Sequence, residues 1–255
     1  MSFTKSVIET LEIIWGDGFL SPGGLPELQD WMGPEDIAGL NVLDIGCGVG
    51  GYSIGLIKDH GVRHVLGIDI CPLVVQRAAR RAKLNGLTER ASFVLVDPGP
   101  IPLADCSFDV VFSKDSFIAI HNKPYLFGEV QRLLRPHGRL LCSDWLAGDP
   151  PSPGTAMSTW LESIPDKLEL LSAPEMKALL QNNGFGDVEI LDTSEQAVLQ
   201  TTNEYALVSE QANAQFVELL GPMQTDSLVA RTSLRLQAIM DGCLVPSRIK
   251  ATKGR

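Results

Sequence analysis

The chain opens with apolar residues at helical spacing. Val7, Leu11 and Ile14 recur through KSVIETLEIIW, which predicts a helix over residues 5–15. Gly16-Asp17-Gly18-Phe19-Leu20-Ser21-Pro22-Gly23-Gly24 breaks that spacing and must be a loop. Residues 25–38 read as a second short helix. From residue 41 short apolar runs alternate with helical stretches. The runs predict strands at 42–45, 64–69, 92–96, 108–113 and 138–143. Between them helices are expected at 51–59, 72–86 and 123–134. Pro72 opens the second of these and Gly86 closes it, while Pro136 stops the third. Strands alternating with helices in this way imply a parallel sheet covered on both faces.

After Trp145 the alternation lapses. Residues 148–154 (GDPPSPG) form a turn-rich linker, and a helix over 173–183 leads to a sixth strand at 188–191. Two long helical stretches follow, roughly 194–220 and 223–240, broken at Gly221-Pro222. Residues 243–253 read as a final strand, in which Pro246 implies a bend or an edge position. The chain thus divides into an N-terminal helical lid (1–40), a core (41–147) and a completion of the sheet (148–255). The last part carries a helical insertion at about 193–241.

Composition narrows the class. Hydrophobic residues make up 44% and charged residues 20% of the 255, an ordinary globular balance. Thirty-one acidic against 21 basic residues give a net charge of −10, which disfavours a nucleic-acid partner. The five cysteines are odd in number and lack CxxC spacing, so reduced thiols are expected. His60, His64 and His137 have no partners at ligand spacing, so no metal is expected. No apolar run approaches the roughly 18–20 residues of a membrane span. The N-terminal stretch carries Glu9 and Glu12 in place of an apolar signal core. These features predict a cytoplasmic protein, monomeric or homodimeric, with no membrane partner.

The chemistry concentrates in Val42-Leu43-Asp44-Ile45-Gly46-Cys47-Gly48-Val49-Gly50-Gly51. A buried strand ends in a glycine turn that opens a helix, so backbone and free N–H groups can approach a ligand closely. Asp44 sits just before that turn. A carboxylate there opposes a pyrophosphate but suits a ligand bearing an ammonium group. Asp69 ends the second strand, where it can accept both hydroxyls of a ribose, and Asp97 follows the third, where it can meet an adenine amino group. Three acids at one sheet edge make a coherent nucleoside site.

VLDIGCGVGG, GIDI, VD, SFDVVFSKDS and LLRPHGRLL together resemble the class I S-adenosylmethionine-dependent methyltransferases over about residues 40–147. The resemblance implies a Rossmann-like, seven-stranded, mostly parallel α/β sheet with helices on both faces. It implies S-adenosylmethionine as donor and S-adenosylhomocysteine as product. Asp44, Gly46 and Gly48 would line the methionine end, Asp69 the ribose and Asp97 the adenine. Ile70, Pro98, Ser113 and Lys114 would border the cofactor. The loop from Ile14 to Gly24, with GIDIC, SKDS and the terminal KATK, further resembles the phosphoethanolamine and glycine/sarcosine methyltransferases. That group closes its loop over the cofactor, which makes Ser21 and Gly23 candidate contacts. The phosphoethanolamine enzymes carry a tyrosine, a histidine and a lid tyrosine where this chain has Leu11, Ala119 and Phe19.

Methyl transfer needs an aligned nucleophile and often a base. Asp115 and His121 follow the fourth strand and are the candidates for catalysis, each also readable as a loop or capping residue. Trp145 just past the fifth strand, Trp15 and Phe19 in the lid, and Tyr205 on the insertion are candidate acceptor contacts, or simply packing. Arg231 and Arg235 share a helix face, either gripping an anion or facing solvent. The expected activity is methyl transfer to N or O of a small molecule. The alternative is a degenerate protein that binds S-adenosylmethionine or S-adenosylhomocysteine without turnover.

Overall fold

The computed structural model describes residues 3–148, 155–165 and 167–254. Residues 149–154 of the expected linker lie outside the described residues. Helix α1 (Lys5–Trp15) starts where the Thr4 side chain accepts from the Val7 amide and ends at Gly16, whose φ is +97°. Helix α2 (Gly24–Met32) ends before residue 38 because Gly33 and Pro34 follow it.

The core then runs β1 (Asn41–Ile45), α3 (Gly51–His60), β2 (His64–Asp69), α4 (Pro72–Leu84), β3 (Ala91–Leu95), β4 (Phe108–Lys114), α5 (Lys123–Leu133) and β5 (Leu134–Ala147). Strand β5 begins earlier than expected. Its pairing with β4 jumps from Phe108↔Leu134 to Val110↔Arg139, so Arg135–Gly138 bulge out. Pro136 cannot donate to the ladder there, and His137 adopts φ +63°.

Helix α6 (Ala156–Ser163) was not foreshadowed by the pattern. It is short, and it buries only Met157 and Trp160 fully. Helix α7 (Ala173–Asn182), capped by a Ser172/Glu175 box, leads to β6 (Phe185–Asp192). The insertion comprises α8 (Ser194–Ala206), a π turn at Leu207–Gln211, α9 (Asn213–Leu220) and α10 (Pro222–Met240). The predicted stretch 194–220 is therefore two helices, and the predicted break at Gly221-Pro222 separates α9 from α10. Strand β7 (Leu244–Lys253) completes the sheet.

The seven strands lie in the order β3-β2-β1-β4-β5-β7-β6, all parallel except β7. The expected fold is observed. Strand β7 is interior, so Pro246 is not on an edge strand. It pairs with Trp145 of β5, and β6 begins pairing only at Ser247, so Pro246 meets a ladder on one side.

Alternation along the strands sorts the two faces. Leu43, Val111 and Leu140 enter the layer under α5 and α7, with Phe127, Val130 and Leu180. Their neighbours Val42, Val110 and Leu141 enter the layer under α2 and α3, with Leu28, Trp31 and Leu56. A third cluster joins the insertion to the end of β5 through Trp145, Met157, Trp160, Ala197 and Ile239. Among the described residues no helix is long and apolar enough to cross a membrane.

Candidate active site

The strand order reverses between β1 and β4, and a crevice opens at the carboxyl ends of the strands beside that reversal. A cavity of about 650 Å³ lies there. The glycine turn forms its floor. Amides of Gly46 and Cys47 both donate to the Ile68 carbonyl, which ties the turn to β2. Gly46 has φ +76°, and a Cβ there would strike the Ser116 side chain. Only glycine lets the loop after β4 lie against the turn.

The three acids behave differently. Asp44 is buried and accepts from Ser53 Oγ at 2.5 Å. Burial pushes its carboxyl up to about 7, while the Ser53 bond works the other way. Asp69 accepts from the amides of Gly48 (3.1 Å) and Cys71 (3.0 Å) and is also raised by burial. It thereby fixes the second glycine turn as well as facing the cavity. Asp97 lines the cavity beyond β3 with Pro98.

The N-terminal loop covers one side. The Gly18 carbonyl accepts from the Gly51 amide at 3.0 Å, and a Cβ on Gly51 would fall on that carbonyl. Arg81 of α4 holds the loop with paired 2.7 Å bonds to Asp17 and one of 2.9 Å to Glu12. Tyr52 donates to the Pro22 carbonyl at 2.8 Å and accepts from the Gly24 amide, and burial raises its phenol to about 12.

Of the residues singled out in the sequence, Ser21, Asp44, Gly46, Gly48, Asp69, Ile70, Asp97, Pro98, Lys114, Asp115 and His121 line this cavity. Gly23 lies outside it, beside Glu27. Ser113 is fully buried one residue too early and donates to the Ile45 carbonyl. Phe19 packs edge-on against Tyr52 at 4.9 Å, inside the lid core. Tyr205 does not reach the cavity, while Trp15 and Trp145 both meet Arg235 of α10. Arg235 is not solvated: its side chain is 13% exposed and pairs with Glu204. His121 sits on the rim, 62% exposed and 3.8 Å from Glu169.

Asp115 occupies the strategic position. Its φ of +53° is rare for a non-glycine residue. Its amide donates to the Ser143 carbonyl, and its carboxylate takes the Lys114 ammonium and the Ser143 hydroxyl. Burial works against the charge of Lys114, but Asp115 and Glu27 of α2 hold its pKa above the ordinary lysine value. Lys114 and Asp115 also line a second, smaller pocket with Glu27, Ser143, Trp145, Gln196, Gln200 and Thr201. The two residues are thus the wall shared by both pockets. Sequence reasoning passed over Tyr52, which follows the glycine turn by one position, and Glu27, which carries no local signal. Among the described residues no group of three or more His, Cys, Asp or Glu is placed to hold a metal ion.

A family model described as a methyltransferase domain matches residues 37–206. A phosphoethanolamine N-methyltransferase of Triticum aestivum is 31% identical over 93% of this chain and 46% of its own length. A chloroplastic tocopherol O-methyltransferase of Arabidopsis thaliana is 30% identical over 72% of this chain and 62% of its own. The chain spans about half the length of the phosphoethanolamine relatives it matches. A solved Haemonchus contortus phosphoethanolamine N-methyltransferase 2, bound to phosphomonomethylethanolamine and S-adenosylhomocysteine, superposes with a TM-score of 0.89. It is 24% identical, over 99% of this chain and 59% of that one, and shows the shared fold.

Proposed function

The chain belongs to the methyltransferase domain family, and from that premise we propose that it moves the methyl group of S-adenosylmethionine to a nitrogen or oxygen of a small molecule. One observation carries this: Asp44, Asp69 and Asp97 follow three neighbouring strands onto one cavity beside the β1/β4 reversal. The residues fit the cofactor. Asp44 would face the ammonium group, Asp69 the ribose hydroxyls and Asp97 the adenine amine. The turn from Gly46 to Gly50 leaves room for backbone contact. When bound, S-adenosylmethionine supplies a methyl group on a cationic sulfur.

The rest falls to this chain's own side chains. Asp115 would orient the acceptor and take up its proton at the carboxylate, with Lys114 and Ser143 fixing that group. His121, exposed on the rim, is the lesser candidate. Residues 1–40 would serve as lid, 41–147 as donor core and the insertion at about 193–241 as acceptor cap. The reading includes a cytoplasmic monomer or homodimer that does not act on nucleic acid, which the net charge of −10 supports.

Calorimetric titration with S-adenosylmethionine, S-adenosylhomocysteine and NAD tests the donor site. Micromolar binding of the first two, lost in Asp69→Ala, is the expected result. Preference for NAD would overturn it. Release of S-adenosylhomocysteine in a screen of small amines and hydroxylated compounds separates an enzyme from a protein that binds only.

A further inference from the structure

The loop between α1 and α2 is held at its two ends by different chemistry. At the first end stands Arg81 of α4, and all three of its guanidinium nitrogens are used. Nη1 and Nη2 each donate to one oxygen of Asp17 at 2.7 Å, and Nη2 also donates to Glu12 at 2.9 Å. Nε donates to the Val49 carbonyl of the glycine turn at 3.1 Å. Glu12 Oε1 in turn accepts from the Gly18 amide at 3.0 Å, so the start of the loop belongs to the same network. At the second end the buried Tyr52 hydroxyl donates to the Pro22 carbonyl and accepts from the Gly24 amide.

Arg81 does not itself line the donor cavity, but the segments it joins do. Gly18, Leu20 and Ser21 form one wall of that cavity, and the turn from Gly46 to Val49 forms its floor. The guanidinium thus clips a wall from the lid to a floor from the core, from outside. The two ends of the loop also differ in their contact with water. The Arg81 and Glu12 side chains are 18% and 15% exposed, whereas Asp17 is 85% exposed. An exposed ion pair contributes little by itself, and salt screens it. Here the pair is bidentate and is backed by two further acceptors on the same guanidinium, a geometry that only arginine supplies. The Tyr52 phenol is neutral and buried, so salt does not loosen its end.

Resting on the methyltransferase reading, we infer that Arg81 is a positioning residue of the donor site. It holds the lid loop on the glycine turn, and the cofactor leaves when the Arg81–Asp17 contact opens while Tyr52 keeps the other end fixed. Arg77, one turn earlier on α4, pairs with Glu9 and Glu12 of α1 and not with the loop, so it does not duplicate the clip. Recognition stays with Asp44, Asp69 and Asp97, which the clip does not touch. An open lid admits the cofactor whether or not the clip exists. Arg81 therefore acts on the rate of escape and not on the rate of capture.

The test measures association and dissociation of S-adenosylhomocysteine on the immobilised full chain by surface plasmon resonance. This probe carries no net charge, so salt acts on the clip and not on the encounter. Arg81→Met keeps the stem and deletes the guanidinium. It should raise the dissociation rate about tenfold and leave the association rate within about twofold. Asp17→Asn changes an exposed side chain and should raise the dissociation rate about threefold. Raising salt from about 0.02 to 0.5 M should speed release from the wild type by a similar factor, and Asp17→Asn should lose that response. A merely structural role would lower the melting temperature of Arg81→Met and leave both rates alone. If Arg81→Met does not fold, Asp17→Asn and the salt series decide. Release from Arg81→Met within twofold of the wild type, or a salt response that survives in Asp17→Asn, overturns the inference. Failure of the wild type to bind S-adenosylhomocysteine at all sinks the methyltransferase reading instead, and this inference with it.

Discussion

The proposed donor half of the crevice and the proposed acceptor half are built by opposite means. On the donor side, Asp44, Asp69 and Asp97 come from consecutive strand ends, and the backbone between them is short. The Asp69 carboxylate is held by the Gly48 and Cys71 amides and that of Asp44 by Ser53. On the acceptor side, Glu27, Lys114, Trp145 and Gln196 come from four elements far apart in the chain. Tertiary packing and ion pairs such as Lys114 with Glu27 bring them together. The contrast teaches where each function can be altered. On the proposed reading, donor binding would live in local turns that tolerate almost no change, and acceptor choice in long-range docking that can drift.

Breaking one half while sparing the other tests that division. Asp69→Ala removes charged hydrogen bonds and should lower S-adenosylhomocysteine affinity about 100-fold, roughly 3 kcal/mol, as read by calorimetry. A loss under threefold would mean the donor site is not the one described. Asp115→Asn should instead spare cofactor affinity and cut turnover by about 100-fold once an acceptor is in hand. Equal losses in both would erase the boundary between the halves.

Acidity adds a second test, because Asp44 beside the cavity and Asp144 buried within β5 are both strongly raised. Asp44 and Asp144 are both pushed up to about 7, chiefly by burial. The folded chain thus holds protons that the unfolded chain, with carboxyls near 3.9, has lost. This stabilisation is fully present below about pH 4 and is lost as pH rises through about 7. The scale is several kcal/mol, at about 1.36 kcal/mol per unit. Urea midpoints of the unliganded protein at pH 5 and 8 should show it, and saturating S-adenosylmethionine should recover the Asp44 share. A flat profile would place both carboxylates in contact with water.

Gly51→Ala should cost about 1–3 kcal/mol by forcing the Gly18 carbonyl off α3, measurable as an earlier urea midpoint. The smallest effect belongs to His121→Ala. The side chain is exposed, so turnover should stay within about twofold. A tenfold fall would move the proton acceptor from Asp115 to the rim.

Legibility followed the same division. The sheet, its helices and the placing of three acids at its carboxyl edge were readable because period, glycine turn and strand end are local signals. Ser113 shows the limit of that reading. One residue of register turns it from the cavity into the core, where it caps the Ile45 carbonyl. Glu27 could not be found, because its meaning comes from Lys114, which a distant strand brings to it. Arg235 was visible on a helix face, but the charge that neutralises it and the two indoles that enclose it come from three other segments. Helix α6 was hidden by its brevity, and the early start of β5 by a proline that looked like a stop and proved to be a bulge.

One feature of the sheet bears on how such a protein can diversify. Asp192 of β6 pairs with Ser247 of β7, so the whole stretch 193–243 is in effect the turn of a β-hairpin. Closing a loop costs free energy that grows only logarithmically with its length. Lineages could therefore lengthen, shorten or exchange this cap wholesale while the hairpin register, and the donor crevice on the far side of it, stay intact.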